Sequence, residues 1–369
     1  MAVVPGATET GAQANVLGTT EDASTTMSAK AAAADRFADA DTSSTAAAAP
    51  TTTAPATTAT TTTAPATTTP ATTVPATTAA GALRSPSADV TVPPPAPSPL
   101  AAGVTEQQMP LGGFSRNYLA VVPPPIAKPR SLLIVLHGLN GRGANMRAMG
   151  GFEPSAALNG TVVVYPDALG GSWNDGRVGM EPMQAGMVTD DIAFLRVLID
   201  EMVNRANVDA TRVAVTGFSN GAMMASRVAC DMPDRVRGVA LVGGTAGQNY
   251  SQVCAPSRSV PIVEVHGTSD PVVPYAGGKV ADNQGRKRGS VLSVVDFFSF
   301  WSGTCHCTGT RETTIKAAMP VTMIEAQSCT PGSPVVHYRV NGGTHDWIRI
   351  QGFDTTKAVW DFLATNSFA

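Results

Sequence analysis

Two kinds of sequence follow one another along the chain. From Pro110 onward, short apolar runs alternate with stretches of helical periodicity, the pattern of strands and helices layered on a sheet. The predicted strands are Tyr118–Val122, Leu132–Leu136, Thr161–Tyr165, Val213–Gly217, Val239–Val242, Ile262–His266 and Val335–Val340. Those at 132–136, 161–165 and 213–217 are apolar on both faces, as expected of central parallel strands covered by helices on two sides. Between the third and fourth strands, Ile192, Leu195, Ile199 and Met202 recur at helical spacing. Thr189 is the expected N-cap of that helix, and Asp190 and Asp191 sit in its first turn, where the helix dipole favours anions. The pattern predicts a three-layer α/β domain with a mostly parallel central sheet over residues 105–369.

Residues 1–104 are a different material. They are Ala, Thr, Ser and Pro with almost no large apolar side chain, and cannot bury enough surface to offset chain entropy, so this region is expected to be disordered. Pro-Ala-Thr-Thr recurs from Pro55, Pro65, Pro70 and Pro75, followed by Pro93-Pro94-Pro95. Such a tract reads as an extended spacer of the kind often O-glycosylated on exported proteins, and a spacer of that kind suits association with a cell wall or polysaccharide. A secretory signal would show an early positive charge and then about 7 to 15 apolar residues, whereas the first Lys is Lys30 and no apolar block follows it.

Charge and cysteines narrow the classes further. Lys plus Arg is 25 and Asp plus Glu is 28, a net charge of −3, which disfavours a nucleic-acid partner. No apolar run approaches the roughly 18 residues that cross a bilayer, so no transmembrane segment is expected. Cys230, Cys254, Cys305, Cys307 and Cys329 all lie in the second region, in two local groups. Cys230 with Cys254, and either Cys305 or Cys307 with Cys329, make two disulfides and leave one thiol, a usage that fits an oxidising compartment. In Cys305-His306-Cys307 the single residue between the cysteines is too short for a tetrahedral zinc bite, so no metal is expected.

The chemistry concentrates in three segments. Gly217-Phe218-Ser219-Asn220-Gly221 directly follows a predicted strand and precedes the helix-compatible run Ala222–Cys230, the strand, sharp turn and helix that a nucleophile elbow requires. Asp270 follows the strand ending at His266, and His345 sits in the glycine-flanked loop Gly342-Gly343-Thr344-His345 after the last strand. Nucleophile, acid and His thus come in the chain order of such sites. Ser219 is assigned as nucleophile, His345 as general base and then acid, and Asp270 as the group orienting the imidazole. The other histidines are read as structural: His137 and His266 brace loops, His337 faces a sheet surface, and His306 sits between two cysteines. The loop Leu136-His137-Gly138-Leu139-Asn140-Gly141 supplies one oxyanion N–H, from Leu139, and the residue after the nucleophile, Asn220, the other. Trp173, in the loop after the third strand, either forms a substrate wall or packs in the core. Arg286-Lys287-Arg288 reads as a solvated loop.

With Leu136–Gly141, Tyr165–Arg177, Gly217–Ala225, His266–Tyr275, Gly342–Trp347 and a last helix at Phe353–Leu363, spread in order over residues 107–369, the sequence resembles the polyhydroxybutyrate depolymerase and feruloyl esterase group. These are secreted serine esterases of the α/β-hydrolase fold, with acetyl xylan esterase relatives. The resemblance implies hydrolysis of carboxylic esters by a Ser219, Asp270, His345 triad with no cofactor. It also places a bridged cysteine at the Cys307 slot, hence Cys307 with Cys329, and leaves Cys305 over. It implies export, with a secreted, extracellular location. Depolymerases of solid polyester commonly append a substrate-binding domain, and here 24 residues follow His345, so soluble esters or acylated polysaccharide are the expected substrates. A peptidase or thioesterase would use the same triad, and a non-catalytic surface protein would use the same fold for binding. Because His345 must be neutral to accept a proton, activity is expected to fall on the acid side of roughly pH 6 to 7.

Overall fold

Ten strands hydrogen-bond into one sheet in the computed structural model, which describes residues 98–180, 189–281 and 286–369. The Thr/Pro-rich spacer expected over residues 1–104 falls, up to residue 97, outside the described residues. Its expected end is corrected by the first strand, β1 (Gly103–Leu111), which begins inside it.

The sheet continues through β2 (Phe114–Val122), β3 (Arg130–Leu136), β4 (Val162–Pro166), β5 (Val208–Phe218), β6 (Gly238–Val242) and β7 (Ile262–Gly267). After the small pair β8 (Gly278–Lys279) and β9 (Ser290–Val291) come β10 (Gly309–Ile315), β11 (Val321–Gln327) and β12 (Val335–Val340). A second small pair follows, β13 (Arg349–Ile350) and β14 (Phe353–Asp354). The spatial order in the large sheet is β1-β2-β4-β3-β5-β6-β7-β12-β11-β10. The six strands from β4 to β12 run parallel, and an antiparallel pair extends each side.

Alternation along the parallel strands divides the core into two halves. Leu132, Ile134 and Leu136 of β3 point to one face, where α3 (Asp191–Ala206), α4 (Asn220–Asp231) and α6 (Val294–Thr304) bury Phe194, Leu198, Met224 and Trp301. Leu133 and Val135 point to the other, under α1 (Gly143–Gly150), α2 (Glu153–Asn159) and α7 (Thr355–Ser367). The short α5 (Tyr250–Val253) completes the α-helices among the described residues. Each of these wholly buried aliphatic side chains contributes about 1.5–3 kcal/mol relative to exposure.

The start of α3 differs from the sequence expectation. Its N-cap is Asp190, whose carboxylate accepts from the Ala193 N–H at 2.9 Å, while Thr189 Oγ1 donates to Asp191 Oδ2 at 2.9 Å. Asp191 does sit in the first turn, as expected. It is wholly buried, 2.8 Å from Arg116 Nη2, and accepts the Asn174 N–H at 2.8 Å. The Arg116 guanidinium lies 3.7 Å over the Phe194 ring. Arg288 is likewise buried, against the solvated-loop expectation, and its carbonyl accepts from Arg177 Nη1.

Two disulfides tie loops to this frame: Cys230 at the end of α4 with Cys254, and Cys307 with Cys329. Cys305 is a buried free thiol.

Candidate active site

The carboxyl ends of the parallel strands bring three loops together. At the end of β5 the chain turns so tightly that Ser219 takes φ 56° and ψ −118°, a left-handed conformation rare outside glycine. The flanking glycines are required by space: a Cβ on Gly217 would run into the Gly221 carbonyl, and one on Gly221 into the carbonyls of Leu136 and His137. The Ser219 N–H donates to Val242 O at 2.9 Å, which fixes the elbow to β6.

The loop after β12 returns over this elbow. Gly342 adopts φ 78°, its N–H donates to Thr268 Oγ1 at 2.9 Å, and the Ser269 N–H donates to Gly343 O at 2.9 Å, so the loops carrying Asp270 and His345 are laced together. The structure thereby brings the three predicted residues into one line. His345 Nε2 lies 3.0 Å from Ser219 Oγ, and His345 Nδ1 lies 2.7 Å from Asp270 Oδ2. The Phe218 ring packs 4.9 Å from the imidazole. Asp270 Oδ1 accepts the N–H groups of Val272 and Val273, each at 2.8 Å. Burial would push the Asp270 carboxyl up, but hydrogen bonds from His266 and His345 outweigh it and hold the group well below the usual carboxylate range.

Opposite the elbow, the loop after β3 uses the Asn140 N–H for Gly171 O and the Gly141 N–H for Gly138 O. The Leu139 N–H takes no backbone acceptor among the described residues. Asn220 opens α4, so its N–H has no intrahelical acceptor. The Asn220 side chain is more engaged than a backbone-only role implies. It is buried, its Oδ1 accepts the Trp173 N–H at 2.8 Å, and its Nδ2 donates to Trp173 O at 3.1 Å and Asp175 Oδ2 at 2.7 Å. Asp175 in turn forms a buried ion pair with Arg177 at 2.9 Å.

Trp173 offers no face to a substrate. Its ring is wholly buried, and Nε1 donates to His137 O at 2.9 Å, so the indole braces the loop that carries Leu139. His137 braces the same loop from below: Nε2 accepts from the Ala168 N–H at 3.0 Å, which leaves Nδ1–H to donate to Gly138 O at 2.7 Å. Burial pushes the His137 imidazole down, consistent with that neutral tautomer. Beside this loop opens a cleft of about 380 Å³ whose lining includes Ser115, Asn117, Asn140, Arg142 and Asp167.

His337 is not on a sheet surface. It is buried opposite Glu264, its partner in the β12–β7 register, with Nε2 2.8 Å from the Tyr275 hydroxyl. Glu264 itself went unread at the sequence level, although a charged residue inside the apolar run Ile262-Val263-Glu264-Val265 is the signal that marks it. Among the described residues no group of three His, Cys, Asp or Glu side chains is arranged to hold a metal ion.

Comparison with known proteins gives a consistent set. Residues 117–294 match a family model described as phospholipase/carboxylesterase. A putative esterase NocK of Nocardia uniformis subsp. tsuyamanensis is 28% identical over 293 residues, 70% of this chain and 84% of that one. Feruloyl esterase B of Piromyces equi is 30% identical over 64% of this chain and 42% of its own length. A bifunctional acetylxylan esterase/xylanase of Neocallimastix patriciarum is 25% identical over 68% of this chain and 33% of its own. The chain thus spans less than half the length of these last two relatives. An acetyl xylan esterase from Aspergillus awamori has the same fold, with a TM-score of 0.50 at 13% identity over 70% of this chain and 99% of that one.

Proposed function

We propose that this chain, a carboxylic ester hydrolase of the α/β-hydrolase fold, cleaves acyl esters carried on carbohydrate through Ser219, His345 and Asp270. The observation that carries the reading is the alignment of His345, 3.0 Å from Ser219 Oγ on one side and 2.7 Å from Asp270 on the other. Ser219 Oγ attacks the ester carbonyl carbon while His345 Nε2 takes the hydroxyl proton. Asp270 stabilises the imidazolium that forms, and the N–H groups of Leu139 and Asn220 receive the charge on the carbonyl oxygen. Collapse of the tetrahedral intermediate expels the alcohol, which takes the proton from His345, and leaves the acyl group on Ser219. Water, deprotonated by His345, then releases the carboxylic acid and restores the serine.

The carbohydrate class is supported by the feruloyl and acetylxylan esterase relatives and by the hydrogen-bonding side chains of the cleft beside the Leu139 loop. Export to an oxidising compartment is part of the same proposal, supported by the two disulfides. The chain from β1, which begins at Gly103, to residue 369 is the proposed catalytic domain, and the Thr/Pro tract before it the spacer that holds it near a wall or polysaccharide. Among the described residues no helix is long and apolar enough to cross a membrane.

The test is hydrolysis of acetyl and feruloyl p-nitrophenyl esters, acetylated xylan and a peptide panel by the purified protein and by Ser219→Ala. The expected outcome is ester cleavage that falls by at least about 10⁴-fold in the variant. Retained activity in Ser219→Ala, or peptide cleavage exceeding ester cleavage, refutes the reading.

A further inference from the structure

The line of polar groups does not stop at Asp270. His266 Nε2 lies 3.3 Å from Asp270 Oδ2, the same oxygen that holds His345, and 2.9 Å from Val273 O. His266 Nδ1 lies 2.8 Å from Glu264 Oε1. The other Glu264 oxygen stands 2.5 Å from His337 Nδ1, outside hydrogen-bond alignment, and His337 meets the Tyr275 hydroxyl. The side chains of His266 and Asp270 are fully buried, and those of Glu264 and His337 are 3% exposed.

Both His266 nitrogens face only acceptors: a carboxylate on one side, a carbonyl and a second carboxylate on the other. A neutral imidazole carries one N–H and would turn its lone pair toward one of these oxygens. The geometry therefore fits an imidazolium held between two carboxylates. The groups facing it are few: Glu264 on its own strand, Asp270 and Tyr275 from the following loop, His345 across Asp270, and His337 on β12 behind Glu264. On its other side β6 contributes Val239–Val242, which holds no titratable group. Arg339, the register partner of His266 on β12, lies 3.4 Å from Glu312, and both are near Tyr275.

We propose that His266 and Glu264 are positioning residues that set the charge felt by the base. His266 shares the Asp270 oxygen with His345, and its positive charge offsets part of the pull that Asp270 exerts on a protonated His345. The base then loses its proton, and is ready to accept one from Ser219, at a lower pH than a bare Asp–His pair would allow. Glu264 keeps the His266 charge in place, so Glu264, His266 and Asp270 together carry −1. Burial alone would drive His266 toward the neutral form, but its bonds to Asp270 and Glu264 outweigh that and raise its pKa to about 10, in keeping with the proposed charge. The inference rests on His345 being the base of the proposed ester hydrolysis.

Counting charges gives the experiment. In His266→Gln the network holds two carboxylates and no compensating cation, which strengthens the pull on a protonated His345. The acid limb of the kcat/KM profile on a p-nitrophenyl ester should move up by about one pH unit, with kcat rather than KM carrying the loss at neutral pH. The double variant Glu264→Gln with His266→Gln removes one charge of each sign and returns the total to −1, so its limb should come back to within about 0.3 unit of the parent. A purely structural role predicts lost activity with an unmoved limb and no restoration in the double variant, and that pattern overturns the proposal. Nitrogen-15 NMR of the unaltered fold, recorded on Ser219→Ala, reads the same state without relying on activity. Two N–H protons on His266 up to about pH 8 are expected, and a singly protonated ring at pH 7 overturns the assignment whether or not the variants fold. Full activity in Ser219→Ala would instead strike the hydrolysis reading alone and leave the His266 spectrum to stand by itself.

Discussion

Replacing Asp191 by Asn tests how the loop beside the site is anchored. The change conserves shape and removes one charge. Asp191 uses both oxygens: Oδ1 faces Arg116 Nη2 at 2.8 Å, and Oδ2 accepts from the Asn174 N–H at 2.8 Å and from Thr189 Oγ1 at 2.9 Å. An amide must turn its NH₂ toward one of these sides, so it sets donor against donor at Arg116 or at Asn174. With Arg116 and Asp191 at 3% and 0% exposure, water cannot replace the lost acceptor. Removing one partner of a buried ion pair costs about 3–5 kcal/mol, and the carbonyl that remains recovers about 1 kcal/mol. The expected loss is therefore about 2–4 kcal/mol, or roughly 5 to 15 °C in Tm for a domain of this size. Urea titration at pH 7, followed by tryptophan fluorescence with m held constant, measures it. A second arm separates charge from packing: Arg116→Met with Asp191→Leu should recover only part of the loss, because the apolar pair removes the unpaired guanidinium but leaves the Asn174 N–H without its acceptor. A loss below about 1 kcal/mol in Asp191→Asn, with m unchanged, would refute the argument that this charge is beyond the reach of solvent.

Other expectations follow from the same contacts. His266, raised from 6.5 to about 10 in the fold, adds stability that is complete below pH 6.5, declines by at most about 1.4 kcal/mol per pH unit above it, and is gone beyond pH 10. Burial would raise Asp270 and Glu264, but their histidine partners lower both, so they add stability that is fully present above the ordinary carboxylate range and is lost as pH falls below that range toward their lowered values in the fold. Thermal midpoints should therefore peak near pH 5 to 6.5, and a midpoint that climbs steadily from pH 6 to 9 contradicts the network. The disulfides, with cysteines 24 and 22 positions apart, should each add about 3 kcal/mol, read as the loss of stability on reduction. A thiol reagent should find no group in the native protein and one, Cys305, after denaturation without reductant. Asn220→Ala should lower kcat by about tenfold or more with KM little changed, because three hydrogen bonds that hold the Trp173 loop beside the elbow are lost. Kinetics equal to the parent's would show that the backbone holds this turn unaided.

The parallel centre of the sheet was legible because those strands are apolar on both faces, a pattern that few other arrangements tolerate. The edges were not. β10 reads Gly309-Thr310-Arg311-Glu312-Thr313-Thr314-Ile315, exposed along all but its last residue, and β1 runs through Val104-Thr105-Glu106-Gln107-Gln108, so neither shows the apolar run that marked the other strands. Ser219, Asp270 and His345 could be placed because a strained turn and two glycine-rich loops each leave a local trace. Of the groups that support them, Glu264 shows only as a charge inside an apolar run, and its partners leave no local trace, since they meet across the sheet. His337 and Glu264 are 73 positions apart and meet only because β12 pairs with β7 in that register. Trp173 was open between wall and core because composition marks a large aromatic ring without saying which way it turns. The N-cap moved from Thr189 to Asp190 for a related reason: both are good caps, and the contact with Asp191 that occupies Thr189 becomes visible only in the fold.

The backbone of Ser219 has a consequence for anyone who would engineer this protein. A non-glycine residue at φ 56° and ψ −118°, wedged between two strands and a helix, holds about 1–3 kcal/mol of conformational strain. Glycine would relieve most of it and delete the hydroxyl in the same step. A library screened for heat resistance alone is therefore drawn toward a position whose hydroxyl is the proposed nucleophile. Directed evolution of this scaffold calls for selection on turnover and endurance together.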